Sequence, residues 1–179
     1  MEEETFLMRM TVKPSTITSP AFPLNAEETL HLLESRGIGY NDFFRDFISH
    51  PSFSTETIEG EQTVTLITLE DLGLIEPSPF PDIVAAVESH GYSSCPPALG
   101  IYLRLFLIDQ NQSKNSVLSG QKESPDGAIN VLSLKLDDNV EIPRMLYLRN
   151  VDGKLWLRAA RFDDEFCYPV DTVFAVTSH

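Results

Sequence analysis

Two cysteines in 179 residues, Cys95 and Cys167, are too few to frame a domain with disulfides. A chain of this length buries enough apolar surface to fold without them, and a reducing cytoplasm is the simpler setting. Cations are scarce too: 13 Lys and Arg stand against 27 Asp and Glu, a formal charge of −14. Duplex-binding surfaces gain affinity by releasing counterions through clustered Lys and Arg, so acidity spread along the whole chain argues against direct nucleic-acid binding. The same charge suits a basic protein partner, or serves only to keep the protein soluble. No apolar run approaches the roughly 20 residues of a membrane span, so no membrane association is expected. Nor is a secretory signal expected, because Glu2, Glu3 and Glu4 occupy the place of a basic region and Arg9 and Lys13 interrupt the apolar residues that follow.

The signatures of common chemistry are missing as well. There is no Gly-rich phosphate cradle, no dinucleotide fingerprint and no Gly-Ser nucleophile elbow. His31, His50, His90, His179, Cys95 and Cys167 show no paired metal-ligand spacing, so neither a metal nor a cofactor is expected. Asp163-Asp164-Glu165 lacks the Gly and the alternating oxygen ligands of a calcium loop and reads as a solvated turn. His90 and Cys95 lie close in sequence, but Gly91 and Pro96-Pro97 make this a helix exit, and Cys95 reads as a small buried residue.

What is present is an ordinary globular composition, 42% hydrophobic and 9% aromatic. Thr11 to Pro23 is dense in Thr, Ser and Pro, and residues 1–21 are expected to form a flexible arm ahead of a single domain over 22–179. Asn25 as N-cap, Glu28 at the capping-box position and Gly37 past the end predict a first helix. Phe43, Phe44, Phe47 and Ile48 share one face of a second helix over Asn41–Ser49, stopped by Pro51. Gln62–Leu69 reads as a strand, Gly73 as a turn, and Ser78 as the cap of a third helix with Pro79 in its first turn.

From Ile101 the apolar pattern reads as a strand to Ile108, central because both faces are apolar. Within it Arg104 stands out, as a buried partner for a carboxylate or as a pocket residue. Asp109–Ser116 reads as a polar loop, Ser124-Pro125-Asp126-Gly127 as a turn and Ala128–Leu136 as an alternating strand. Arg144–Asn150 and Leu155–Ala160 form a hairpin around Asp152-Gly153, whose register sets Tyr147 and Arg149 on the opposite face from Leu146 and Leu148. Thr172–Val176 closes the sheet. The expected class is α+β, with N-terminal helices packed on one face of a mostly antiparallel C-terminal β-sheet.

The helix start Ala26-Glu27-Glu28-Thr29-Leu30, the segment Leu69-Glu70-Asp71-Leu72-Gly73-Leu74, the run Cys95-Pro96-Pro97-Ala98-Leu99-Gly100-Ile101-Tyr102-Leu103-Arg104-Leu105 and Asp109-Gln110 resemble a group of uncharacterised bacterial proteins, over about residues 24–179. That group carries Glu-Leu-Gly-Phe-like and Cys-Pro-x-Glu-like segments, then Leu-Arg-Leu, Asp-Gln-Pro and a C-terminal Trp-Leu. Here Ala98 stands in the Glu position and Asn111 in the Pro position. The resemblance implies a fold and a set of positions, and no activity.

Three functional readings follow. The first is a non-enzymatic protein-binding or inhibitory module whose acidic surface or sheet face engages a basic partner. The second is a small enzyme or ligand-binding domain with an anion site around Cys95 and Arg104, Glu70 nearby, and Trp156 or Tyr168 as an aromatic wall. The third is a structural subunit whose exposed apolar sheet face is completed by a second copy in a homodimer.

Overall fold

The computed structural model describes residues 8–12, 25–53, 62–107 and 127–178. In chain order the elements are β1 (Met8–Val12), α1 (Ala26–Ser35), α2 (Asp42–Ser49), β2 (Gln62–Thr68), a 3-10 turn (Glu70–Leu72), β3 (Ser78–Pro79), α3 (Phe80–Ser89), β4 (Tyr92–Ser93), α4 (Leu99–Phe106), β5 (Ile129–Val131), β6 (Met145–Val151), β7 (Lys154–Ala160), β8 (Cys167–Tyr168) and β9 (Val173–Ser178). The class is α+β. A seven-stranded sheet runs β1-β2-β9-β5-β6-β7, with β4 also on β9, and β3 pairs with β8 in a small second sheet. The large sheet is mixed: β5 lies parallel to β9, and its other pairings are antiparallel.

Local signals account for several elements. Asn25 accepts from the Glu28 amide at 2.8 Å while the Glu28 carboxylate accepts from the Asn25 amide at 3.1 Å, a complete capping box on α1. Asn41 caps α2, which ends at His50 in extended geometry before Pro51. In the β6–β7 hairpin Asp152 and Gly153 take φ of 53° and 82°, and the register pairs Val151 with Lys154 and Arg149 with Trp156.

Alternation along the strands divides the core between two sheet faces. Val64, Val131, Leu146, Leu148, Leu157, Ala159 and Ala175 pack with residues of α1, α2 and α4, while Ile67, Met145, Phe174 and Val176 pack with Phe80, Ile83 and Val87 of α3. Helices therefore cover both faces, where one covered face was expected.

Four further expectations are corrected. Ile101–Ile108 is not a strand: Leu99–Phe106 is helix α4, with every residue from Leu99 to Leu105 buried. An apolar run without periodicity fits a fully buried helix as well as a central strand, and Pro96-Pro97 supplies the start. Gly100 lets α4 approach β6, since a Cβ there would lie 2.8 Å from Leu146 Cδ1. Second, Met8–Val12, placed in the arm, is edge strand β1 on β2. Third, Ala128–Leu136 supplies a strand only over Ile129–Val131. Fourth, β9 lies inside the sheet between β2 and β5 instead of closing it. In addition, α3 begins one residue later than expected: Pro79 is its N-cap and Ser78 sits in β3, its hydroxyl donating to the Glu76 carbonyl at 2.9 Å. The expected loop over Asp109–Ser116 and residues 124–126 of the expected turn lie outside the described residues.

Candidate functional site: the cleft at Trp156

Strand β7 is the last of the sheet, and the connection between α1 and α2 covers its outer edge. The Gly39 amide donates to the Leu155 carbonyl at 3.0 Å and the Gly39 carbonyl accepts from the Leu157 amide at 2.9 Å, a parallel bridge. Asn41 continues the pairing. Its Nδ2 donates to the Ala159 carbonyl at 3.0 Å and its Oδ1 accepts from the Ala159 amide at 3.1 Å, while also accepting from the Phe44 amide at 2.9 Å as the α2 cap.

This apposition leaves an open cleft of about 360 Å³, walled by Glu34, Ile38, Tyr40, Lys154 and Trp156 with the main chain of Gly37 and Gly39 between them. Its size falls within the few-hundred-Å³ range of small-molecule sites. The Trp156 ring lies against Gly39 so closely that a Cβ at that position would stand 2.4 Å from Cε3. Tyr40 donates its hydroxyl to Glu34 Oε1 at 2.5 Å, and its ring packs against Phe44 with centroids 5.8 Å apart and planes tilted by 40°.

Lys154, Trp156 and Arg158 point to one face of β7 because they alternate. Lys154 Nζ lies 4.5 Å and Arg158 Cζ 4.3 Å from the centre of the indole. Neither cation forms an ion pair with a described carboxylate, whereas Lys135, Arg144 and Arg161 are paired with Asp138, Asp164 and Glu141. Across the hairpin, Arg149 is paired with Trp156 and fully buried, and Tyr147 with Arg158; among the described residues the buried Tyr147 hydroxyl has no hydrogen-bond partner. A chain of −14 thus concentrates positive charge around its one tryptophan.

Of the residues singled out in sequence, the cleft contains only Trp156. Arg104 is fully buried on α4, and its Nη1 donates to the carbonyls of Arg149 at 3.1 Å and Trp156 at 3.2 Å while Nη2 donates to that of Leu107. Burial lowers its pKa to about 10. It therefore meets the back of the Trp156 strand, not the indole face. Cys95 is buried in the same core, its thiol donating to the Ala175 carbonyl at 3.3 Å, and burial pushes it up to about 12.

Glu70 and Tyr168 belong to the α3 side. Glu70 is exposed in the 3-10 turn, its amide donating to Val170, and Tyr168 is buried among Phe162, Phe166 and Phe174 with its pKa raised by burial. The five residues do not converge. Sequence reading missed Glu34, Gly39, Tyr40, Lys154 and Arg158. A legible signal existed in Lys154-Leu155-Trp156-Leu157-Arg158, where strand alternation alone puts two cations beside an indole.

Among the described residues no group of three or more His, Cys, Asp and Glu is placed to hold a metal ion, and no helix is long and apolar enough to cross a membrane. Compared with protein-family models, curated proteins and solved structures, the chain matches none.

Proposed function

We propose that the protein is a non-enzymatic binding module and that its recognition site is the Trp156 cleft. The observation that carries this reading is a partly exposed indole held between two cations beside a preformed cleft. Large, rigid aromatic rings flanked by a few polar groups supply binding area at low entropic cost. Because Trp156 is the chain's single tryptophan, its emission reports on the cleft without interference from another indole. A screen of chemically mixed small molecules against the native protein is expected to yield saturable shifts in that emission together with a rise in Tm. A library that moves neither would sink the reading.

The net charge favours a second reading, a basic protein partner on the acidic surface. Retention of one basic protein at low salt, released as salt rises toward a physiological level, supports it; equal retention at both salts counts against it. A cytoplasmic location goes with both readings and is supported by the two free thiols, Cys95 and Cys167. A homodimer remains a matter for light scattering, and a single monomer mass at high concentration rejects it.

A further inference from the structure

We infer that His50 is a proton-operated latch on the turn that leaves α2, released when its ring takes up a second proton. None of its residues lines the Trp156 cleft, so the device stands apart from the binding-module reading. The tautomer follows from the partners. A backbone amide can only donate, and the Ser52 amide donates to His50 Nδ1 at 3.0 Å, so Nδ1 offers its lone pair and the ring proton sits on Nε2. Nε2 then donates to Asp137 Oδ2 at 2.9 Å, across to the connection between β5 and β6. Both ring nitrogens are engaged in the neutral form. A proton arriving from solvent must bind Nδ1, and it turns the Ser52 amide out to water, because two donors cannot share a bond.

The two bonds respond to that proton in opposite ways. The Asn139 amide, at 2.9 Å, and then the His50 ring hold Asp137 below the usual carboxylate range, so it stays charged where histidines titrate and the Nε2 bond becomes an ion pair. Helix α2 has no basic residue in its last turn, and a cationic ring at its C-cap suits the helix dipole. Among the described residues Asp137 is the charged group bonded to the ring; Asp46, one turn back on α2, is exposed, and Lys135 beside Asp137 in sequence pairs with Asp138 at 3.0 Å. The turn itself is also held by the Phe53 amide on the His50 carbonyl at 3.0 Å and by the Phe53 ring, 5.4 Å from that of Phe47. Loss of the Ser52 bond therefore loosens the turn without unfolding α2, while the ion pair keeps the ring in place. Acid moves the tie from the chain after α2 to the connection beside it.

The test is nitrogen-resolved NMR on the full chain from about pH 8 down to about pH 5. The His50 ring nitrogens are expected to show the Nε2–H tautomer at the alkaline end. In step with ring protonation the Ser52 amide is expected to lose about tenfold of its exchange protection, after correction for the intrinsic pH dependence of exchange. The Phe44 amide, bonded to Asn41, serves as the control and keeps its protection. His50→Phe is expected to leave Ser52 unprotected at every pH. Asp137→Asn keeps an acceptor and removes the charge, and is expected to move the Ser52 transition to lower pH. A far-UV spectrum checks the fold of both variants, and the tautomer and the Ser52 transition are read on the unaltered protein. An Nδ1–H tautomer, a Ser52 amide whose protection does not follow the ring, a transition that survives His50→Phe, or one unmoved by Asp137→Asn overturns the latch.

Discussion

Arg104 on α4 and Trp156 on β7 are joined through the main chain: the guanidinium donates to the Trp156 carbonyl at 3.2 Å and to the carbonyl of its cross-strand partner Arg149 at 3.1 Å. One buried side chain thereby ties a helix to both strands of the hairpin. Arg104→Ala leaves a cavity and strands these carbonyls, and is expected to cost about 3–4 kcal/mol in urea unfolding. Arg104→Lys keeps the charge without the fork and is expected to lose about half as much or more. A change below about 1 kcal/mol in the Ala variant would show that the bonds contribute nothing net.

Gly39 makes room for the Trp156 ring. A Cβ would stand 2.4, 2.5 and 2.8 Å from Cε3, Cζ3 and Cδ2, so Gly39→Ala must displace the indole or the edge pairing. The expected loss is about 1–3 kcal/mol, with a red shift of Trp156 emission as the ring moves toward water. Unchanged emission would mean that the backbone gives way and the cleft is preserved.

Asn41 serves two elements with one amide. Asn41→Ala removes the α2 cap and both bonds to Ala159 and is expected to cost about 2–3 kcal/mol. Asn41→Asp keeps the acceptor and loses the donor, so it falls between the two in a thermal-melt series. Equal melting of the Asp and Ala variants would reject the double role.

The two cysteines differ in reactivity. Cys167 is exposed and Cys95 buried, so a thiol reagent is expected to titrate one group in the native protein and two after denaturation. Because burial raises the Cys95 value, the folded state keeps a proton that the unfolded chain releases. Its contribution to stability is complete below the ordinary thiol value of about 8.5 and declines as pH rises toward about 12. Cys95→Ala is expected to flatten that alkaline slope, measured by unfolding at several pH values.

Asp164 gives a pH dependence of the opposite sense. The hydrogen bond from Arg144 at 2.8 Å lowers its pKa below the usual carboxylate range, so the folded state favours its charged form. The stabilisation is present above the unfolded carboxylate value of about 3.9 and is lost as pH falls through the lower folded value. Asp164→Asn is expected to destabilise at neutral pH and to match the parent in strong acid. A difference that persists in acid would assign the effect to shape and not to charge.

Much of the fold was legible where the signal is local. The Asn25–Glu28 capping box, the Asn41 cap with its phenylalanine face and the Asp152-Gly153 turn each act over a few residues, and each appears in place. Leu99–Phe106 defeated the same reasoning because an element that is apolar all round carries no period to read. Met8–Val12 is a strand because β2 pairs with it through Thr63–Leu66 and Gln62, a partner some fifty residues away that its own composition does not announce.

The sequence by itself determined the α+β class, the two N-terminal helices, the hairpin register and the acidity, because capping, turn geometry and charge depend on neighbours along the chain. Only the tertiary structure decided that helices cover both faces of the sheet, that β9 runs inside it, and that Arg104 spends its donors on carbonyls. The cleft belongs to the second kind. Glu34, Gly39 and Tyr40 meet Lys154 and Trp156 across more than a hundred residues, and they meet because the outer edge of β7 needed hydrogen-bond partners and the α1–α2 connection supplied them.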